Sequence, residues 1–144
     1  MKRLFSTVMV TLCVCLTACT SEKAITFEQL PADAQTLIKN HFANDPVSYV
    51  LQEREGLSVE YEVRLASGSK LEFDSKGGLR KVDCDIRPVP EALIPQAVLD
   101  YVKNNFPNTT INEWGKDDRR WKAELSNKLE LEFDSNYRFI RIDD

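Results

Sequence analysis

The segment Leu71-Glu72-Phe73-Asp74-Ser75 returns as Leu131-Glu132-Phe133-Asp134-Ser135, and a chain that repeats itself this closely is constrained to fold as two like halves. At a spacing of 60, Glu60 to Asp83 lies over Arg120 to Asp143, with Tyr61 on Trp121, Leu65 on Leu125 and Val82 on Ile142. At a spacing of 64, Leu30-Pro31 lies over Ile94-Pro95, and Ile38 to Phe42 over Val102 to Phe106. The four-residue difference falls between the end of the helix and the second strand, where loops absorb length changes at little cost. A period near 60 exceeds that of solenoid repeats, so the pattern predicts two pseudo-symmetric halves of one domain.

The N-terminus reads as an export signal. Met1-Lys2-Arg3 is basic, Leu4 to Leu16 is an apolar run too short to span a bilayer, and Leu16-Thr17-Ala18-Cys19 resembles a lipoprotein cleavage box. The expected organisation is a lipoprotein signal peptide over residues 1–18, a lipidated Cys19 with a short polar tether over residues 19–24, a first repeat over residues 25–86 and a second over residues 87–144. Lipid on Cys19 would tie the protein to a bacterial membrane, facing the periplasm or the cell surface. Cys13 and Cys15 would leave with the signal, so Cys84 stands without an intramolecular partner. A partly buried thiol is expected there, an intermolecular or reactive one being the alternative.

Each half reads as a helix followed by strands. Ala34, Leu37, Ile38 and Phe42 recur at helical spacing after Pro31, matched by Ala97, Val98, Tyr101, Val102 and Phe106 after Pro95. Period two then takes over. Val59, Tyr61, Val63 and Leu65 alternate with Glu60, Glu62 and Arg64, and Trp121, Ala123 and Leu125 with Arg120, Lys122 and Glu124. Turns follow at Ser67-Gly68, Ser126-Asn127, Asp74 to Gly78 and Asp134 to Asn136, with Leu71 and Phe73, or Leu131 and Phe133, on the apolar face between them. Less regular first strands are expected near Val47 to Arg54 and Thr109 to Gly115. The predicted fold is α+β: two pseudo-symmetric α-β-β-β-β repeats forming one antiparallel sheet, with helices packed on one face and water on the other.

The chemistry-bearing residues argue against an enzyme. His41 is the only histidine and Asn105 matches it in the other half, which leaves little for a triad or a histidine-based metal site. The serines at positions 67, 69, 75, 126 and 135 fall at turns, and Gly77-Gly78 precedes no helix start that would cradle a phosphate. The net charge of −4, or −6 without Lys2 and Arg3, and the lack of a basic run argue against nucleic acid. Glu60, Glu62, Glu72, Asp74, Glu124, Glu130, Glu132 and Asp134 are expected on the open face. Interleaved with Arg64, Lys70, Arg120 and Lys122, they read as a charge ladder or a polar docking face rather than a metal site. No cofactor is expected.

Taken together, the tandem Leu-Pro, the helices ending in Lys-Asn-x-Phe, Leu-Glu-Phe-Asp, Val-Asp-Cys, and the run Leu93-Ile94-Pro95-Gln96-Ala97-Val98-Leu99-Asp100-Tyr101-Val102 resemble the PepSY-like envelope proteins of Bacteroides-type bacteria. The resemblance spans residues 25 to 144. It implies the fold of β-lactamase inhibitory protein, an envelope location and an inhibitor or ligand-binding role, and it brings no catalytic residues. Leu79 departs from the aromatic that often opens the last strand of these repeats; Phe139 keeps it.

The expected function is therefore non-catalytic binding of an envelope protein partner through the open sheet face, the alternative being a small-molecule or ion-binding sensor with a pocket at the seam between halves. Strict alternation would turn Arg80, Val82, Ile140 and Ile142 inward and leave Leu79 and Phe139 among the charges as apolar anchors, joined by Tyr137 and Trp114 and ringed by Arg64, Glu72, Lys122 and Glu132. On that placement Phe139→Ala weakens partner binding with little loss of stability. The other placement open to the sequence wraps Leu79 and Phe139 around the sheet edge into the core.

Overall fold

The computed structural model of the chain describes residues 20–117 and 119–143. The expected signal peptide and Cys19 lie outside the described residues. In chain order the elements are β1 (Thr20–Ile25), α1 (Ala32–His41), β2 (Val47–Glu55), β3 (Ser58–Leu65), β4 (Lys70–Phe73), β5 (Leu79–Asp83), α2 (Gln96–Asn105), β6 (Ile111–Asp117), β7 (Arg120–Leu125), β8 (Glu130–Phe133) and β9 (Phe139–Asp143). The strands form one sheet in the order β1 to β9, each antiparallel to the next. A 3₁₀ turn precedes each helix, Phe27–Gln29 before α1 and Glu91–Leu93 before α2. No described helix is long and apolar enough to cross a membrane.

One strand departs from expectation. The sequence predicts a tether over Thr20 to Ala24, whereas Thr20 to Ile25 pairs with Glu55 to Val50 as β1. Pseudo-symmetry supplies the reason, because β5 lies along β6 and the matching edge of β2 would otherwise be bare. The polar sequence carries no strand periodicity, so the backbone ladder rather than apolar burial places it.

Both helices bury one stripe against the same face of the sheet. Ala34 and Ile38 of α1, and Val98 and Val102 of α2, meet Val63, Leu71, Phe73 and Val82 from the first half and Ala123, Leu125, Leu131 and Phe133 from the second. Leu131 and Phe133 are fully buried, as the alternation requires. Polar bonds stitch the halves at the β5–β6 junction. Asn112 donates from Nδ2 to the Asp85 carbonyl (3.1 Å) and accepts at Oδ1 from Thr110 (2.8 Å), while Cys84 N–H donates to the Asn112 carbonyl (2.9 Å). Cys84 is a free, buried cysteine whose burial pushes the thiol pKa up, which leaves it a poor nucleophile.

The sheet carries matched irregularities that decide which side chains face where. Phe73 pairs with Leu79 but Glu72 with Lys81, so Arg80 is an extra residue; Phe133 pairs with Phe139 but Glu132 with Arg141, so Ile140 is its counterpart. Ser48 and Asn112 are extra residues in β2 and β6 in the same way. An inserted residue shifts the period-two pattern by one and exchanges the faces beyond it.

Candidate functional site

The face opposite the helices is a grid of charge. Pairing places Glu62 beside Glu72, Glu72 beside Lys81, and Lys122 beside Glu132, as alternation anticipates. Arg64 lies near Glu62 (3.5 Å) and donates to the Gly68 carbonyl (3.2 Å), and Glu72 binds Lys70 Nζ (2.7 Å). Lys122 sits between Glu130 (2.6 Å) and Asp143 (3.4 Å), and these carboxylates raise its pKa despite the cost of desolvation.

Glu132 is the least exposed charge on this face, its side chain 4% accessible. Arg141 meets it through two nitrogens (2.9 and 3.2 Å) and Arg120 through a third contact, so the carboxylate is roofed by guanidinium groups. Those two arginines hold its pKa at about 2, against an ordinary 4.5. With its folded-state pKa depressed, Glu132 stabilises the fold fully above pH 4.5 and progressively loses that contribution as pH falls toward 2. Glu132→Gln should therefore be less stable than the parent at pH 7, with the gap closing by about pH 2. Urea titrations followed by tryptophan fluorescence at both pH values check this; a constant gap would mean that the arginines do not recognise the charge.

Two acidic rows cross the same face. Asp83, Glu113, Glu124, Glu130 and Asp143 are successive cross-strand neighbours from β5 to β9. Lys81 pairs with Glu113 (2.7 Å) and Lys128 with Glu124 (2.8 Å), so most of that row is already compensated. Glu22, Glu53 and Glu60 form a shorter row from β1 to β3, and burial together with the neighbouring carboxylates raises the Glu53 pKa. Among the described residues no group of three or more His, Cys, Asp or Glu side chains is placed to hold a metal ion. Asp74 and Asp134 close turns instead, accepting backbone N–H groups from Lys76 and Gly78, and from Asn136 and Arg138.

The four apolar candidates do not stand among these charges. Phe139 is half-buried on the helix side, stacked on Tyr101 (4.6 Å between centroids) and edge-on to Phe133 (6.1 Å). Leu79 packs against the same core. Trp114 is 3% exposed, stacked on Trp121 at 5.0 Å, with Tyr137 against both rings. The bulges are the cause: the extra residue turns Arg80 out to pair with Glu60, whereas strict alternation sent it inward, and leaves Ile140 exposed. Ile142 does lie opposite core Leu131, but on the edge strand it remains 42% exposed. The open face has its own aromatic, Tyr49, 44% exposed and paired with Arg64; aligning Val50 with Trp114 at the spacing of 64 would have found it.

The helix side also has a small hollow at the seam of the halves, about 270 Å³, lined by Leu37, Leu93, Pro95, Trp114, Trp121 and Tyr137. A larger cleft of about 490 Å³ runs beside α2, with Ile94, Leu99, Phe106 and Ile111 in its walls. His41 is half-buried at the end of α1.

Family comparison agrees with this architecture. The family described as "Putative beta-lactamase-inhibitor-like, PepSY-like" matches residues 17–81 and again residues 59–141. A Bacteroides thetaiotaomicron structure described as a putative calcium-regulated periplasmic protein is 38% identical, covering 85% of this chain and 97% of its own, with a TM-score of 0.81. A Bacteroides vulgatus periplasmic protein of the DUF2874 family is 36% identical over 85% of this chain and 97% of its own, at TM-score 0.82. A second Bacteroides vulgatus periplasmic protein, of unknown function, is 31% identical over 86% of this chain and all of its own, at TM-score 0.81. No curated protein matches the sequence. With two repeat matches and three solved relatives built alike, the chain belongs to the PepSY-like, beta-lactamase-inhibitor-like family.

Proposed function

We propose that this chain is a non-catalytic, lipid-anchored envelope module that binds a protein partner through the open face of its sheet. The observation that carries the reading is the face of nine strands that no described element covers, whose charges are tied together by cross-strand ion pairs. Such a surface is preorganised, so docking costs little side-chain entropy, and its alternating charge selects a partner of complementary pattern. The family's inhibitor-like description and the periplasmic description of its solved members support the same reading.

The test is capture of envelope proteins by the mature domain, compared with two charge reversals. Lys122→Glu on the open face should weaken capture by at least about tenfold, whereas Lys103→Glu on α2 leaves it unchanged. Loss of capture with Lys103→Glu alone would place the partner on the helices and end the open-face reading.

A second reading, an ion-responsive module, is favoured by the calcium-regulated description of the 38%-identical relative. Calcium added to the same capture assay separates the two: partner binding that appears only with calcium favours the second.

A further inference from the structure

The two edges of the sheet are treated differently. At the first, β1 covers β2 just as β5 covers β6. At the other, nothing described covers β9, although its counterpart β5 is covered by β6. The side chains record the difference: Val82 lies opposite Trp114 and is fully buried, whereas its repeat partner Ile142 is 42% exposed.

We propose that β9 is a self-complementary edge at which a second copy of this chain pairs, joining two nine-stranded sheets into one. Cys84 N–H donates across to β6, so by alternation the peptide groups of Val82 also face β6. The repeat then directs the N–H and C=O of Ile142 out of the open edge. A two-fold axis at Ile142 makes Ile142 its own opposite, with reciprocal backbone bonds and the two isoleucine side chains in contact on the helix side. The same axis sets Arg141 against Asp143 of the second copy, twice, on the charged face.

Self-pairing in this register therefore satisfies the exposed backbone and the exposed isoleucine, and sets an opposite charge of the second copy beside Arg141 and Asp143, which in their own copy already meet Glu132 and Lys122. At β1 the alternation presents Glu22 and Ala24 on one face and Lys23 and Ile25 on the other, and Ile25 already packs against the core. No comparable apolar side chain stands free there. The ladder is short, so the dimer is weak in solution and gains from concentration on a membrane.

Residues 20–144 provide the sample, since the solved relatives fold with 97 to 100% of their own chains matched by only 85 to 86% of this one. Sedimentation equilibrium over a concentration series should show a reversible monomer–dimer equilibrium. Asp143→Arg, which sets arginine against arginine, should weaken it by about tenfold, and so should Arg141→Glu, which sets carboxylate against carboxylate. An equimolar mixture of the two variants should dimerise again, because each supplies the charges the other lacks. Arg141→Glu also unroofs Glu132 within its own copy, so urea titration followed by tryptophan fluorescence gives the folded fraction of each variant, and dimerisation is scored on that fraction.

A parent that remains monomeric at millimolar concentration overturns the proposal, as does a dimer indifferent to both reversals or a mixture that fails to recover. Capture of an unrelated extended segment at β9 by a monomeric parent also overturns it, reassigning the edge to a different protein. Each of these failures leaves the open-face reading standing, because β9 pairing uses the sheet edge.

Discussion

Phe133→Ala is expected to lower the unfolding free energy by about 3–5 kcal/mol, between about a fifth and all of what a marginal domain of this size possesses. Phe133 is fully buried and lies edge-on to Tyr101 (5.8 Å) and Phe139 (6.1 Å), with Trp114 at 6.2 Å. Truncation removes the buried ring, opens a cavity among rings too rigid to fill it, and breaks aromatic pairs worth about 0.5–1.5 kcal/mol each. Phe73→Ala removes an equally buried ring from the first half, where Leu79 and Leu37 stand in place of Phe139 and Tyr101, so it should cost less. Urea denaturation of both variants measures the two losses. A loss below about 1 kcal/mol for Phe133→Ala would mean that the second half is not sealed by this ring.

Much of the fold was legible because its determinants are periodic. Ala34 with Ile38, and Val98 with Val102, define apolar stripes at helical spacing, and Val63, Leu71, Ala123 and Leu131 alternate on strands; each pattern reports a face buried by the next element. The five-residue echo then fixed how many times the unit is used. What alternation misplaced lies beyond single inserted residues. A bulge leaves no mark on composition, and Arg80 and Ile140 each turn the count by one, which sent Leu79 and Phe139 to the wrong face of the sheet.

The open face was legible in its charges, and the apolar candidates were misplaced, for the same reason. Glu62, Glu72, Lys122 and Glu132 lie on β3, β4, β7 and β8, which carry none of the inserted residues, and stand where period two puts them. The burial of Glu132 had no sequence signal, since it depends on Arg141 arriving from β9 after the bulge, together with Arg120 from β7. β1 was missed for a different reason. An edge strand placed by backbone pairing needs no apolar pattern, and Thr-Ser-Glu-Lys reads equally well as a polar leader.

Gly77→Ala should cost about 2–4 kcal/mol, far more than its position in a hairpin turn suggests. Its φ of +89° lies where a side chain is disfavoured, yet that alone is not decisive, because Tyr137 holds the equivalent turn of the second half at φ +60°. The difference lies in what stands over the turn. A Cβ on Gly77 would sit 2.9 Å from both Ala34 N and Pro31 Cβ, at the start of α1, and neither a backbone nitrogen nor a proline ring can rotate away. The helix would have to lift, loosening the contact of Ala34 and Ile38 with the sheet. Gly68 provides the control: its φ is +92°, but a Cβ there meets nothing within 4 Å, so Gly68→Ala should register only the backbone term of about 1–2 kcal/mol. Equal losses for the two variants, measured by urea denaturation, would show that α1 does not rest on the β4–β5 turn; a clear excess for Gly77→Ala identifies that turn as the seat of the helix.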